Sequence, residues 1–230
     1  MNYIWILWWL GPETTAKFYL QLNQISDLTY RIPVILYNTP IDLELEKKFL
    51  LSTNWIEKYF SYLKNGIDVL EKAGSKFVVI PCNSVHWLID KLRETTNIPV
   101  LSIIEETTKY LVKNNVKSVW ILSSWYTAKS KIYEKRLEKT WIKIFSIWKE
   151  EQDNVNNIIL NLVQWKKHKK EDTEYLNKLI QNFKEQQGVD KVLLACTDLQ
   201  NIVEQTDFIV DSMNVLLNVT YDYFKSLNNK

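Results

Sequence analysis

The sequence repeats itself at half its own length, and this repeat constrains the fold more than any other feature. Residues 4–7 (Ile-Trp-Ile-Leu) resemble residues 119–122 (Val-Trp-Ile-Leu), and residues 74–83 resemble residues 188–197. In the second pair, each stretch runs from a Gly through an apolar segment to a Cys and a small polar residue. The two offsets, 115 (119 − 4) and 114 (188 − 74), nearly agree. This agreement favours a duplication over a chance likeness between apolar strands.

Short apolar segments alternate with longer helical ones in both halves, which is typical of βαβ units and parallel sheets. We predict an α/β fold of two pseudo-symmetric flavodoxin-like half-domains, each a parallel sheet flanked by helices, with an active-site cleft between them. The N-terminal half-domain is predicted to comprise residues 1–98 plus 209–230, and the C-terminal one residues 99–208. Strands are predicted at residues 3–7, 32–37, 77–80, 100–104, 118–122, 142–145, 191–194 and 208–210. Helices are predicted between them at residues 13–26, 55–73, 84–95, 105–114, 127–139, 155–164, 170–187 and 212–227.

Composition narrows the class of protein. The 230 residues carry a net charge of +2, and one basic run, residues 166–170, gives only weak support for nucleic-acid binding, which needs clustered phosphate contacts. No apolar stretch reaches the roughly 18 residues that a transmembrane helix needs. Two Cys far apart in sequence do not make a disulfide framework. We therefore expect a cytoplasmic protein with neither a nucleic-acid nor a membrane partner.

The repeat gives Cys82 and Cys196 matching positions, each just after a predicted strand and before a helix. Ligands of open α/β sheets bind at the carboxyl ends of the strands, so two facing halves would put one thiol on each side of a cleft. The N-terminus of the following helix favours the thiolate. One thiolate can remove a proton from a carbon while the opposite thiol returns one, which inverts the stereocentre. The competing interpretation is that both Cys are buried apolar residues.

Other chemical motifs are missing from the sequence. There is no GxGxxG or Walker A pattern for a nucleotide. The two Cys and two His are too far apart in sequence to suggest a closed zinc site. We therefore predict no metal and no cofactor. The pairs Asn-Ser and Thr-Asp that follow the two Cys can hold a carboxylate, and this favours a functional role for the thiols.

Three segments carry a resemblance to a known family: residues 10–19 (Leu-Gly-Pro-Glu-Thr-Thr-Ala-Lys-Phe-Tyr), 81–86 (Pro-Cys-Asn-Ser-Val-His) and 195–199 (Ala-Cys-Thr-Asp-Leu). Together they resemble the aspartate/glutamate racemase superfamily, and the first segment is more similar to aspartate racemases than to glutamate racemases. The resemblance covers nearly the whole chain. It implies an isomerase that racemises aspartate or a related acidic amino acid without pyridoxal phosphate, and it implies a homodimer.

The resemblance also implies roles for individual residues. Cys82 and Cys196 would be the two catalytic bases. Hydroxyl, amide and backbone N–H groups would hold the substrate α-carboxylate, and two Lys would meet its side-chain carboxylate. The residues expected to bind substrate are Asn83, Ser84, Thr127, Thr197, Lys48 and Lys166.

Some of these roles have alternatives. Lys48 and Lys166 can equally be solvated surface residues. His86, in the first turn after the Cys82 loop, is interpreted as structural rather than catalytic. Asp198 can either orient the surroundings of Cys196 or cap the following helix.

The departures from the family concern Trp. The chain has 10 Trp and 4 Gly, whereas Gly averages about 7% of residues. Overpacking an interior costs about 1–3 kcal/mol per site. Either the chain repacks around these residues, or some of them stand where the natural gene product has Gly. The Trp found where the family leads us to expect Gly or another small residue are Trp5, Trp8, Trp9, Trp87, Trp120, Trp125 and Trp165.

Two other functions stay open at this point. One is another reaction of the superfamily, such as hydantoin racemisation, maleate isomerisation or arylmalonate decarboxylation; a decarboxylase needs one proton donor, so two intact Cys disfavour it. The other is a catalytically impaired or non-catalytic protein that binds a small ligand on the same fold. Crowding by Trp favours this second alternative, and the intact Cys-Asn-Ser and Cys-Thr-Asp motifs argue against it.

Overall fold

A computed structural model describes residues 3–8, 12–42, 44–45, 48, 56–164, 166 and 169–228. The strands in this part of the chain are β1 (Ile4–Trp8), β2 (Val34–Asn38), β3 (Phe77–Val79), β4 (Val100–Leu101), β5 (Ser118–Leu122), β6 (Lys143–Ser146), β7 (Lys191–Leu194) and β8 (Ile209–Asp211). Its α-helices are α1 (Pro12–Gln24), α2 (Ile56–Lys72), α3 (Ile89–Arg93), α4 (Ile103–Lys113), α5 (Trp125–Ser130), α6 (Ile132–Leu137), α7 (Lys149–Val163), α8 (Lys170–Gln187) and α9 (Ser212–Asn228). Two 3₁₀ helices are Ser84–Leu88 and Leu199–Asn201.

The strands form two parallel sheets with the same topology. Their orders are β2-β1-β3-β4 and β6-β5-β7-β8, which is the order of a flavodoxin-like sheet without its fifth strand. The second sheet's two central strands, β5 and β7, begin 114 residues after β1 and β3 (118 − 4 and 191 − 77). The predicted fold class, two pseudo-symmetric α/β halves with parallel sheets, is therefore confirmed.

Both faces of each sheet are covered, which explains the uninterrupted apolar strands. In β1, Ile4 and Ile6 belong to one core cluster and Trp5 and Leu7 to the other, and all four are fully buried. Strand β5 repeats this alternation. Parallel strands buried on both faces need apolar residues at every position. Each cluster contains residues from both sheets, so the core continues from one half into the other.

The hydrogen-bonded pairing of the strands shows to which sheet β4 and β8 belong. Val100 in β4 pairs with Val78 in the first sheet, and Val210 in β8 pairs with Leu193 in the second. Each sheet thus extends one strand further along the chain than the predicted boundaries, 1–98 plus 209–230 and 99–208. Helix α9 returns to the first half, as the sequence led us to expect, where Tyr223 packs edge-on against Phe77 of β3 with ring centroids 4.8 Å apart.

Three predicted elements differ from the structure for local reasons. The strand predicted at 100–104 ends early because Ser102 is the N-cap of α4 and accepts a hydrogen bond from the Glu105 amide. The helix predicted at 127–139 breaks at Lys131, whose φ is 52°. The helix predicted at 84–95 begins as a 3₁₀ helix and becomes α3 only at Ile89. No helix in the described part of the chain is long and apolar enough to cross a membrane.

The two Gly that begin the longer repeat occupy equivalent turns. Gly74 follows α2 with a φ of +91°, and Gly188 follows α8 with a φ of +58°. Positive φ is the left-handed conformation that Gly adopts at helix ends without steric cost. Both turns redirect the chain from a helix into the strand that leads to a Cys.

The Trp residues, in contrast, do not occupy backbone that requires Gly where the structure describes them. Trp5 and Trp120 lie in strands, Trp87 in a 3₁₀ helix and Trp125 at the start of α5. Among the described non-Gly residues, positive φ occurs elsewhere, in two turns. The backbone at these four Trp therefore does not by itself require Gly, and the hypothesis that some of them stand where the natural gene product has Gly stays a prediction. Trp9 and Trp165 lie outside the described residues.

Candidate active site

Cys82 and Cys196 line one buried cavity between the two halves. They are 8% and 9% exposed, and no disulfide joins them. The volume of this cavity is about 10 Å³, roughly the space of a single water molecule. An amino acid does not fit a cavity of this size. The described lining residues are Cys82, Asn83, Ser84, Ser124, Ile159, Val163, Cys196, Thr197 and Asp198.

The carboxylate of Asp198 lies beside the Cys196 thiol. The Sγ of Cys196 lies 3.9 Å from Oδ2 of Asp198, and Oδ1 of Asp198 accepts a hydrogen bond from the Thr14 hydroxyl of α1. Asp198 occupies the N-cap position of the second 3₁₀ helix, yet its side chain makes no cap hydrogen bond. Of the two alternatives for Asp198, the geometry therefore favours orienting the surroundings of Cys196.

Burial dominates the electrostatics of this pair. It raises the pKa of Asp198 to about 6, although the hydrogen bond from Thr14 acts in the opposite direction. Burial, followed by the charge of Asp198, raises the pKa of the Cys196 thiol well above its ordinary value. The prediction that a helix N-terminus favours the Cys196 thiolate is therefore wrong for the closed site. The helix that follows has only three residues, so its dipole is too small to offset desolvation.

Ser84 stands two residues after Cys82, as Asp198 does after Cys196, and neutral hydroxyl groups surround it. Ser84 Oγ lies 3.1 Å from Thr127 Oγ1 and 3.3 Å from Ser124 Oγ, and the last two are 3.2 Å apart. Ser124, in the turn after β5, is the N-cap of α5 and lines the cavity. Three hydroxyls from both halves thus converge beside the cavity, and such a group can donate to a carboxylate.

Asn83 and Thr197, the residues directly after the two Cys, both bond across the cleft. The Asn83 side chain contacts the Tyr133 hydroxyl and Ser212 Oγ at 2.6 and 3.0 Å. Thr197 Oγ1 donates to the carbonyl of Pro81 at 3.2 Å. In the closed site these side chains therefore hold the two halves together.

His86 has a structural arrangement. Its Nδ1 donates to the Cys82 carbonyl at 2.7 Å, and its Nε2 accepts from the Ile103 amide at 3.3 Å. Acceptance at Nε2 assigns the proton to Nδ1. Burial lowers the pKa of His86 to about 4, so the ring is neutral at physiological pH. It connects the Cys82 loop to the start of α4.

The structure does not bring the two predicted Lys to the cavity. Lys48 and Lys166 are exposed, and the described lining residues include no Lys or Arg. Lys166 follows α7, whose Val163 lines the cavity, and its backbone amide bonds the carbonyl of Asn161. Both Lys would have to approach during binding to contact a substrate.

Sequence reasoning missed three residues that the fold brings to the site: Thr14, Tyr133 and Ser212. Thr14 lies in the segment that carries the family resemblance, so its place in that motif was an available signal. Tyr133 belongs to none of the three segments that carry the family resemblance. Ser212 lies 129 positions from its partner Asn83, and no local pattern predicts such a contact.

Two facing parallel-sheet halves, each contributing a Cys to one buried cavity, define a class of α/β protein able to act on both faces of a small molecule. The model of the family described as Asp/Glu/Hydantoin racemase matches residues 8–220. The chain belongs to this family, and the resemblance stated from its motifs is confirmed.

Individual relatives agree with this assignment. The chain is 26% identical to the broad specificity amino-acid racemase RacX of Bacillus subtilis (strain 168), over 94% of this chain and 96% of that protein. Its fold is similar to an aspartate racemase homologue from Pyrococcus horikoshii OT3, with a TM-score of 0.78, 24% identity and coverage of 97% and 99% of the two chains. An aspartate racemase from Picrophilus torridus gives a TM-score of 0.77, 24% identity and coverage of 97% and 94%. The two structures show a shared fold.

Proposed function

We propose that the protein is a cofactor-independent racemase of aspartate or a related acidic amino acid, acting by proton transfer between Cys82 and Cys196. The observation that carries this proposal is the cavity lined by both thiols, each at the carboxyl end of an equivalent strand. Membership of the racemase family supports the reaction class. The names of the Pyrococcus and Picrophilus proteins support aspartate, and RacX supports a broader set of amino acids.

The chemistry requires one thiolate and one thiol at a time. A thiolate removes the α-proton, the substrate passes through a planar carbanion, and the opposite thiol donates a proton to the other face. Asp198, with a pKa of about 6, is mostly ionised at neutral pH. It can therefore accept the proton of Cys196, and the resulting thiolate then faces a neutral carboxyl group instead of the charge that raises its pKa.

The α-carboxylate would be held by the hydroxyls of Ser84, Ser124 and Thr127 and by the backbone at Thr197. These donors also stabilise the negative charge that develops at the carbanion. Because the closed cavity holds about 10 Å³, substrate entry would separate the halves and break some of the bonds across the cleft. Closure would then bring Lys48 or Lys166 to the side-chain carboxylate. The homodimer and the cytoplasmic location belong to the same proposal.

Proton NMR in D₂O tests the reaction directly. Purified protein without pyridoxal phosphate is incubated with L-aspartate and, separately, with L-glutamate. We expect loss of the α-proton signal together with formation of the D enantiomer. Alanine at either Cys82 or Cys196 should abolish inversion, because both faces of the carbon must be served.

The same experiment examines the alternative of a non-catalytic binding protein. A folded wild-type protein that exchanges neither α-proton, yet binds aspartate in a calorimeter, would be such a protein. Exchange that survives in both Cys variants would contradict the two-thiol mechanism and leave the fold with another base.

A further inference from the structure

A chain of hydrogen bonds through three buried side chains joins the two cysteine loops. The Tyr133 hydroxyl donates to Asn83 Oδ1 at 2.6 Å, and Asn83 Nδ2 donates to Ser212 Oγ at 3.0 Å. The Ser212 hydroxyl then donates to the Leu194 carbonyl at 2.8 Å. Tyr133 and Ser212 are fully buried and Asn83 nearly so. Asn83 directly follows one catalytic Cys, and Leu194 lies two residues before the other.

The protons of this chain have one consistent arrangement. A carbonyl only accepts, so Ser212 gives its proton to Leu194 and offers its lone pairs to Asn83. The amide nitrogen of Asn83 therefore points to Ser212, and its oxygen points to Tyr133. Burial raises the pKa of the Tyr133 phenol above its ordinary value, so the phenol keeps the proton that it donates. A buried network with every member satisfied is rigid.

A second link runs in the opposite direction. Thr197, which follows Cys196, donates to the carbonyl of Pro81, which precedes Cys82. Each cysteine loop thus bonds main chain close to the other Cys. The two links together resist sliding of one loop past the other, although the Cys are 114 residues apart (196 − 82).

Building on the proposed function, we propose that Tyr133 and Ser212 are positioning residues. Through Asn83 they hold the two cysteine loops in register, so that both thiols reach opposite faces of the same carbon. Racemisation depends on this register, because a proton removed on one side is replaced from the other. A misplacement of about 1 Å can slow a reaction about 10²-fold. A reaction that needs only one thiol does not depend on the register.

A substrate whose reaction needs only one thiol distinguishes the loss of register from the loss of a single thiol's activity. With 3-chloroaspartate, a thiolate takes the α-proton, the C–H electron pair forms the Cα–Cβ double bond, and chloride leaves from Cβ. The enamine product hydrolyses to oxaloacetate and ammonium, and oxaloacetate is measured by absorbance. If glutamate proves to be the substrate, 3-chloroglutamate takes its place. Both enantiomers are assayed, so that each thiol is examined separately.

The test variants are Tyr133→Phe and Ser212→Ala. We expect each to lower kcat for racemisation about 10²-fold with little change in KM, while elimination of chloride changes by less than about threefold. The double variant should lose no more than the worse single one, because both residues act through Asn83. Ser212→Thr keeps the hydroxyl and should retain the rate.

Tyr221→Phe is the matched control. It removes the hydroxyl of another buried Tyr, one that bonds Asp27 in the loop after α1, and should leave both rates unchanged. Parallel losses of racemisation and elimination in Tyr133→Phe would indicate a merely structural role and overturn the proposal. Full racemisation in that variant would overturn it too. A wild type inactive in both assays would refute the proposed function together with this assignment.

Discussion

The loops that carry the two Cys have the same backbone origin and different chemistry. Both follow a central strand of a sheet with the order 2-1-3-4, and both lead into a 3₁₀ helix. Two residues after the Cys, however, the first loop has Ser84 and the second has Asp198. Ser84 belongs to a cluster of neutral hydroxyls, whereas Asp198 places a carboxylate beside Cys196. Duplication thus preserved the scaffold while the charge next to each thiol diverged.

This difference suggests unequal roles for two formally equivalent bases. Burial and the charge of Asp198 both work against a thiolate at Cys196, until Asp198 takes the proton and becomes neutral. Ser84 cannot do so at physiological pH, and its hydroxyl suits a substrate carboxylate instead. Under the proposed mechanism, the loop of Cys196 would therefore serve proton transfer and the loop of Cys82 would serve substrate binding.

Among the differences between the two loops, Asp198→Asn is expected to have the largest effect. The amide keeps the acceptor for Thr14 but cannot take a proton, so we expect kcat/KM for racemisation to fall about 10²–10³-fold. Wild-type activity should decline as the pH falls below about 6, because Asp198 becomes protonated there. This acidic limb should disappear in the variant. Rates measured from pH 5 to 9 by circular dichroism of aspartate provide the profile.

Ser84→Ala is the comparison at the equivalent position. It removes one neutral hydrogen-bonding group, which is worth about 0.5–1.5 kcal/mol, so its loss of rate should stay near tenfold or below and its pH profile should be unchanged. Equal losses in both variants would mean that the divergence between the loops has no catalytic meaning.

The second prediction concerns stability in acid. Each loop has a buried titratable group, and burial shifts the pKa of the two groups in opposite directions. The pKa of His86 is lowered from 6.5 to about 4, so the unfolded state binds more protons as the pH falls between these values. The contribution of His86 is present above pH 6.5 and should decrease by about 3 kcal/mol on approaching pH 4. His86→Gln, compared with wild type by urea unfolding, should flatten this decline.

Asp198 has the reverse linkage. Its pKa is raised from 3.8 to about 6, so its contribution to stability is present below pH 3.8 and is lost as the pH rises through 6. Asp198→Asn should therefore be more stable than wild type at pH 7 and should lose stability more steeply on acidification. An unchanged pH dependence in both variants would contradict the burial argument for these two groups.

The sequence was sufficient to predict the two sheets because the pattern of each strand is local and occurs twice in the chain. Strands β5 and β7 and helix α8 have the predicted bounds, and the shared offset implied equivalent sheets. Candidate residues next to a Cys in sequence reached the cavity for the same reason. The charge state of Cys196 was mispredicted because desolvation depends on the complete packing around a group. Tyr133 and Ser212 reach Asn83 only through tertiary contacts, which no local pattern contains.

The smallest expected effect compares Trp5 with Trp120, equivalent residues of β1 and β5. Both are fully buried, and neither indole N–H has a hydrogen-bond partner among the described residues. Trp120 additionally stacks on Phe183 of α8, with ring centroids 3.6 Å apart and planes at 6°; the described residues provide no such ring for Trp5.

Leucine at either position removes the same indole and the same unpaired N–H, so these contributions largely cancel when the two variants are compared. We therefore expect Trp120→Leu to lose about 0.5–1.5 kcal/mol more unfolding free energy than Trp5→Leu, the strength of an aromatic pair. Urea unfolding measures the difference. A double-mutant cycle with Phe183→Leu then assigns it, because the coupling energy should match the excess at Trp120. A coupling energy near zero would mean that the stack contributes nothing beyond burial, and that the two halves differ in chemistry at the cleft but not in the stability of their cores.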